Sequence, residues 1–383
     1  MRPQLVLATA LAFVTACDAL PTATSNDPVV PGTVSSSSNA SSNTSSVRWN
    51  RKAIALFRAR GGNPGRALAY LSLAQYQAAV AADDAKHGQN RPSPAGAVAA
   101  ASRIVLKQFY PLDATSIDAE IAAQRAESPL ATEQNMSFAD GEAIGEAIGA
   151  AVLAFAASDN FGLTSPGVPP VGAGYWVSSG APIVRGGLGA RPFFLASGSE
   201  LRLPPPPAFG SPAFTAALAE VRAFSDNRTA DQVANTLFWV PFSGVVFNGI
   251  AADLIDRYNR SEIEAARILA YGNTAAFDAI IACFDTKYAY WFIRPTQADA
   301  GITLAVGLPN HPSYPSAHSC ETGAFEGVLA DAFPAEREYL GQVADEGSMS
   351  RVIGGLHFRF DGDGGLSIGR DAARLALQRR SID

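Results

Sequence analysis

The run HPSYPSAHSCETGAFEGVLADAF, residues 311–333, changes character near its middle. Pro312 and Pro315 keep the first part out of helix, because proline lacks an N–H and restrains the residue before it. From Ser319 to Phe333 apolar residues return at helical spacing. Ser316, Ala317 and His318 therefore fall at or just before a helix N-terminus, where unsatisfied N–H groups and the helix dipole favour an oxyanion. Ser316 also reads as a plain N-cap, a role that still lets its hydroxyl donate to a ligand.

Two further blocks flank this one. Upstream is KYAYWFIRP, residues 287–295. Lys287 and Arg294 are seven residues apart, close to two helical turns, so a continuing helix points them the same way. Pro295 is expected to end that helix. Two cations on an apolar, aromatic face are costly to bury unless an anion meets them, although taken alone the pair also suits a surface where both snorkel to water. Downstream is SRVIGGLHFRFD, residues 350–361. His357 and Asp361 are four apart, so the carboxylate can accept from one imidazole nitrogen and leave the other to bind or attack. Arg351 lies six residues before His357 and faces elsewhere on a straight helix; Gly354-Gly355 supplies a break that could redirect it. The run Asp361-Gly-Asp363-Gly-Gly reads as a helix-ending turn or a loose mimic of a calcium loop, and no metal site follows from it.

Helix is the theme of the whole chain. Among 383 residues, 48% are hydrophobic, alanine is abundant and alternating apolar runs are scarce, which favours an all-α fold with a sizeable core. Asn63-Pro64 marks an N-cap and first helical position, opening a helix to about Ala82. More helices are expected near 95–109, 114–127 and 137–157. Residues 160–212 are rich in Pro and Gly, including Pro204-Pro205-Pro206-Pro207, yet Tyr175, Trp176, Phe193 and Phe194 mark an ordered excursion and not a linker. Helical periodicity resumes at Pro212 and runs through 229–240, 245–258 and 261–293, with later helices starting near His318, Ala335 and His357. The expected architecture is one helical bundle, or two packed together, spanning 47–383: a first half 47–159, the excursion, and a second half 213–383.

The N-terminal segment reads differently. Arg2 precedes an apolar run from Leu5 to Ala16 that is too short to span a bilayer, an export signal over residues 1–16. Val14-Thr15-Ala16-Cys17 resembles a bacterial lipobox, whose cysteine is lipidated; an ordinary cleaved signal is the alternative. Residues 17–46, rich in Ser, Thr and Asn, are expected to act as a tether. No later segment has 18 uninterrupted apolar residues, so the catalytic part is expected to be soluble, exported and tethered to a membrane through Cys17, or otherwise periplasmic or secreted. Cys283 and Cys320 are either a disulfide or two buried thiols, since spacing does not give distance. A net charge of −6 excludes a non-specific nucleic-acid binder, so any anion must be held by a local cation cluster.

That cluster is supplied by the three blocks together. A lysine, two arginines, a serine and two histidines fall within 75 residues of a chain with four histidines, while His87 lies apart in a polar helix end, structural or exposed. The order Lys-x6-Arg-Pro, Pro-Ser-x-His, Ser-Arg-x5-His-x3-Asp, met here at Lys287/Arg294/Pro295, Pro315/Ser316/His318 and Ser350/Arg351/His357/Asp361, resembles the signature of the vanadium haloperoxidase and type 2 phosphatidic acid phosphatase superfamily, in its soluble bacterial branch. Ala317 stands where that superfamily usually has glycine; alanine keeps the N–H but loses glycine's freedom at positive φ.

The resemblance implies an all-α bundle of the haloperoxidase and acid phosphatase type and an oxyanion site of Lys287, Arg294, Ser316, Ala317, Arg351 and His357. In a haloperoxidase His357 would ligate the vanadium of vanadate, His318 would serve as acid/base, and Lys287 would polarise bound hydrogen peroxide for halide oxidation. In a phosphatase, which needs no cofactor, His357 would attack phosphorus of a phosphomonoester and His318 would protonate the leaving alcohol. Asp361 would orient His357 in both. His311 falls where the haloperoxidases line the halide pocket, and histidine there is similar to the bromoperoxidases; it also reads as a turn residue beside Pro312. A surface lipoprotein that merely binds phosphate or vanadate is a third reading, which has no need of a nucleophile or an Asp-oriented imidazole.

Overall fold

A computed structural model describes residues 44–85, 91–128, 133–162, 166–184, 188–241 and 243–379. The export signal, Cys17, most of the tether and His87 lie outside the described residues. Within them thirteen α-helices account for nearly all regular structure: α1 (Ser45–Arg60), α2 (Pro64–Asp84), α3 (Pro94–Phe109), α4 (Ala114–Glu127), α5 (Phe138–Ala156), α6 (Pro212–Asn227), α7 (Ala230–Phe238), α8 (Ser243–Arg257), α9 (Glu262–Tyr290), α10 (Pro295–Ala298), α11 (Ala317–Ala332), α12 (Arg337–Ile353) and α13 (Arg359–Arg379). One two-stranded parallel pair, β1 (Arg91–Pro92) with β2 (Met136–Ser137), joins the starts of α3 and α5. No single helix among the described residues is long and apolar enough to cross a membrane.

The starts follow local chemistry. The side chains of Asn63, Ser93, Ser211 and Ser316 each accept a backbone N–H at the first turn, and three of these four caps are followed by proline. Ser261 and Thr229 form reciprocal capping boxes with Glu264 and Gln232. The tether ends earlier than the sequence suggests. Ser45 and Ser46 already belong to α1, because their N–H groups donate to the half-buried Glu262 carboxylate at 2.5 and 2.9 Å. A carboxylate at a helix start satisfies otherwise orphaned donors and meets the positive end of the dipole.

Helix α9 is the axis of the molecule. It packs on α2 at one side and on α11 and α13 at the other, so the two halves share one continuous core. The Pro-rich excursion is fastened to the same helix: the Asp278 carboxylate accepts from the N–H groups of Phe193, Phe194 and Leu195 at 2.7, 2.7 and 3.1 Å. Burial raises that carboxyl to about 7, despite the three donors.

Helix α9 stops at Tyr290, three residues short of the expected end, and Trp291 turns left-handed at φ 50°. The cause is tertiary. Trp291 and Phe292 carbonyls accept from Trp176 and Ser313 N–H, and Ile293 N–H donates to Gly174. The excursion and the 311–318 loop therefore capture the backbone that would have continued the helix. The run Asp361–Gly365, expected to end a helix, instead lies in the first turns of α13. Its glycines serve close approach. A Cβ on Gly365 would lie 2.5 Å from the Ser316 carbonyl oxygen, and one on Gly369 2.3 Å from that of Cys320. Glycine thus lets α13 press directly against the first turns of α11.

Candidate active site

Three connections place the three sequence blocks on one buried spot. Lys287 comes from the last turn of α9, Arg294 from the extended stretch after Trp291, and Ser316 to His318 from the start of α11. His357 sits in the turn between α12 and α13. Gly355 makes that turn at φ 84°, where a Cβ would also meet the Thr303 carbonyl oxygen at 2.7 Å. Lys287 and Arg294 do converge, but through a left-handed break and not through helical periodicity.

His357 has the most defined environment. Its Nδ1 lies 2.9 Å from Asp361 Oδ2, and the same oxygen accepts from Ser313 Oγ at 2.5 Å and from the Phe358 N–H at 3.1 Å. Its Nε2 lies 3.1 Å from Arg294 Nη1. A guanidinium only donates, so Nε2 must accept, and the proton sits on Nδ1 facing Asp361. Burial and the charges of Arg294 and Lys287 push the imidazole well below its ordinary range, and His311 and His318 push it the same way. His357 is therefore a neutral ring with an electron pair at Nε2. Asp361 lies in the first turn of α13, and His357 just precedes that helix.

Arg294 is the organiser. It is fully buried, and its guanidinium reaches the His311 carbonyl (3.0 Å), the Leu356 carbonyl (2.8 Å), His357 Nε2 and His311 Nδ1 (3.0 Å). Burial lowers it to about 10. His311 is thus part of the cluster, stacked edge-on to Phe284 at 5.3 Å, and more than a turn residue. Lys287 is also fully buried, and burial draws it down to about 8. Its three ammonium protons meet the carbonyls of Pro312 (2.9 Å), Ser313 (2.7 Å) and Pro315, so it fastens the 311–315 loop and does not itself point a proton at a ligand.

Ser316 caps α11 by accepting the Ser319 N–H at 3.3 Å, and its own N–H donates to the Asp361 carbonyl at 2.8 Å. Ala317 occupies the first helical position and has no positive φ, so the substitution for glycine keeps an ordinary N–H there. His318 Nε2 is 2.9 Å from the Trp239 carbonyl. Arg351 is buried but stands apart: Nε meets Ser350 Oγ at 3.0 Å, Nη2 meets the Thr236 carbonyl at 2.6 Å, and among the described residues no hydrogen bond joins it to Arg294 or His357. Burial lowers it to about 10.

Sequence reading missed Ser313, Thr236 and Trp239. Ser313 was legible, being inside the 311–318 block and between two prolines. Thr236 and Trp239 act through backbone carbonyls at the end of α7, for which side-chain identity gives no signal. Glu321, also buried and one turn beyond His318, is taken up by Ser243 Oγ at 2.7 Å.

The donor set suits an oxyanion. Lys287, Arg294 and Arg351 are buried cations, while Asp361 is the one carboxylate bonded within the cluster, and its Oδ1 has no hydrogen-bond partner. A buried surplus of positive charge is relieved by an anion. Cys283 and Cys320 lie close by as two free, buried thiols.

No protein-family model matches the chain, and no curated protein does. Solved structures do. A bacterial vanadium-dependent iodoperoxidase aligns with TM-score 0.73 at 20% identity, covering 88% of this chain and 96% of its own. A bacterial vanadium-dependent chloroperoxidase aligns in its apo form with TM-score 0.63 at 14% identity, covering 83% and 93%, and in its holo form with 0.61, covering 82% and 91%. Shared helical architecture over nearly the whole length establishes that the chain has the fold of the bacterial vanadium-dependent haloperoxidases.

Proposed function

We propose that this chain is a vanadate-dependent haloperoxidase that oxidises a halide, bromide foremost, with hydrogen peroxide to hypohalous acid. The observation that carries the reading is the neutral His357, its Nδ1–H on Asp361 and its Nε2 electron pair aimed into a buried cation cluster, on a fold shared with haloperoxidases. Vanadate, when bound, supplies the electrophilic centre that activates peroxide toward halide.

The protein's residues do the rest. His357 Nε2, whose electron pair Arg294 meets, would be the ligand to vanadium. Arg294 and the N–H groups at the start of α11 would neutralise the anion's oxygens, and Ser316 would offer its hydroxyl. Arg351 joins only if its guanidinium swings from Thr236. Lys287 adds charge from its place on the loop carbonyls and holds the loop that carries Ser313 and His311. Asp361 fixes the His357 tautomer. His318, whose Nε2 donates to the Trp239 carbonyl, serves as the acid/base. His311, bonded to Arg294 and edge-on to Phe284, would border the position for the halide.

The second reading keeps the same site without a cofactor: His357 Nε2 attacks a phosphomonoester and His318 protonates the leaving alcohol. It is favoured by the same neutral, oriented imidazole. The assay is halide oxidation with peroxide, with and without vanadate, beside hydrolysis of p-nitrophenyl phosphate. Halogenation that requires vanadate, with negligible hydrolysis in its absence, supports the proposal; hydrolysis inhibited by vanadate overturns it in favour of the phosphatase. A His357→Ala variant separates both enzymes from a simple anion binder, which would lose little. We further propose export and membrane tethering through lipidated Cys17, to be tested by the mass of the mature N-terminus.

A further inference from the structure

Two thiols lie directly beneath the site and take no part in it. Cys283 is one helical turn before Lys287 on α9, and Cys320 is one turn after Ser316 on α11. Both are fully buried and free, and each thiol is near enough to the other to shift its titration. Cys283 Sγ also reaches the Pro315 carbonyl at 3.8 Å, the same carbonyl that receives Lys287. Glycines 365 and 369 of α13 press on the backbone of Cys320, so the pair sits where α9, α11 and α13 meet.

We propose that Cys283 and Cys320 are a redox pair that hydrogen peroxide closes to a disulfide, locking α9 to α11 one turn from the anion niche. The two sulfurs are unequal, which suits a two-step exchange. Burial pushes both thiols up, but the neighbouring Cys320 and the Lys287 charge bring Cys283 below its ordinary value, while Cys320 stays well above. The Cys283 thiolate attacks one peroxide oxygen, the O–O bond breaks, and the departing hydroxide takes a proton to become water. Cys283 is then a sulfenic acid. The Cys320 sulfur attacks it, the S–O bond breaks, and the hydroxyl leaves with the Cys320 proton as a second water. Two thiols and one peroxide give one disulfide and two waters. The step uses no vanadate, so it stands or falls apart from the haloperoxidase reading.

The test treats the full chain, without vanadate, with hydrogen peroxide, then unfolds it with an alkylating reagent and maps the peptides. The expected result is a cross-linked peptide pair about 2 Da lighter than the two thiol peptides, reversed by dithiothreitol. The oxidised protein should also melt roughly 5 °C higher. C320S should instead collect a sulfenic acid on Cys283, trapped by a dimedone probe, whereas C283S should leave Cys320 as a thiol. Two alkylated thiols at 283 and 320 in peroxide-treated wild-type protein overturn the proposal, whatever the variants do.

Discussion

Replacing Asp361 with asparagine separates the orientation of His357 from the stability of the fold. The carboxylate Oδ2 accepts from Ser313, His357 and the Phe358 N–H, and Oδ1 is buried with no partner. An amide has two ways to sit there, and both are poor. With its oxygen in the Oδ2 position, its NH2 falls where Oδ1 was and leaves buried donors unpaired, at about 1–3 kcal/mol. Flipped, it sets a donor against the Phe358 N–H and turns His357 Nδ1 into an acceptor. The proton then moves to Nε2, against Arg294. Either arrangement weakens the Nε2 electron pair, and a loss of roughly 3 kcal/mol in anion binding is about 100-fold.

Stability should change far less. Burial raises the Asp361 carboxyl to about 6, so holding it ionised at neutral pH costs the fold roughly 3 kcal/mol, and asparagine carries no such cost. The two terms nearly offset. The pH sign is set by the raised value: the contribution of Asp361 is full below about pH 4 and is lost as pH rises through about 6, a change the variant lacks. Thermal melts with calorimetric vanadate titration at neutral pH read both quantities. Affinity within about threefold of wild type, or unfolding by several kcal/mol with affinity intact, would refute this account of Asp361.

Gly365→Ala should destabilise the chain by about 1–3 kcal/mol and weaken anion binding, because its Cβ meets the Ser316 carbonyl oxygen at 2.5 Å and pushes α13 from the start of α11. Gly249→Ala is the contrasting control: inside α8 with nothing within 4 Å, it should raise stability by about 1 kcal/mol in a urea melt. Arg294→Lys cannot serve His311, Leu356 and His357 together, and should cost at least about tenfold in vanadate affinity by titration. Glu262, half-buried against Ser45 and Ser46, is raised to about 7, so its contribution is full below about pH 4.5 and lost as pH rises through 7. Melts of Glu262→Gln at pH 5 and pH 8 should therefore differ less than those of wild type.

The helices were almost wholly legible because their ends are written in local chemistry. Asn63-Pro64, Ser93-Pro94 and Ser211-Pro212 announce starts that no tertiary contact overrides. The site residues were legible as types and order, and the structure brings Arg294, His311, His357 and Asp361 together. What could not be read was decided by contacts distant in sequence. The excursion captures Trp291 to Ile293 and ends α9 early, and the α11 backbone makes use of the glycines after Asp361. Lys287 finds three loop carbonyls, and Arg351 finds Thr236, which spacing along a helix does not foretell.

The central claim is that His357 Nε2 anchors an oxyanion in the cluster around Arg294. Vanadate titration followed by vanadium-51 NMR on wild-type and His357→Ala protein tests it most directly. The account predicts one bound vanadate per chain, with a shifted resonance, and its loss in the variant. Equal binding by the variant, or no binding by the wild type, would contradict it.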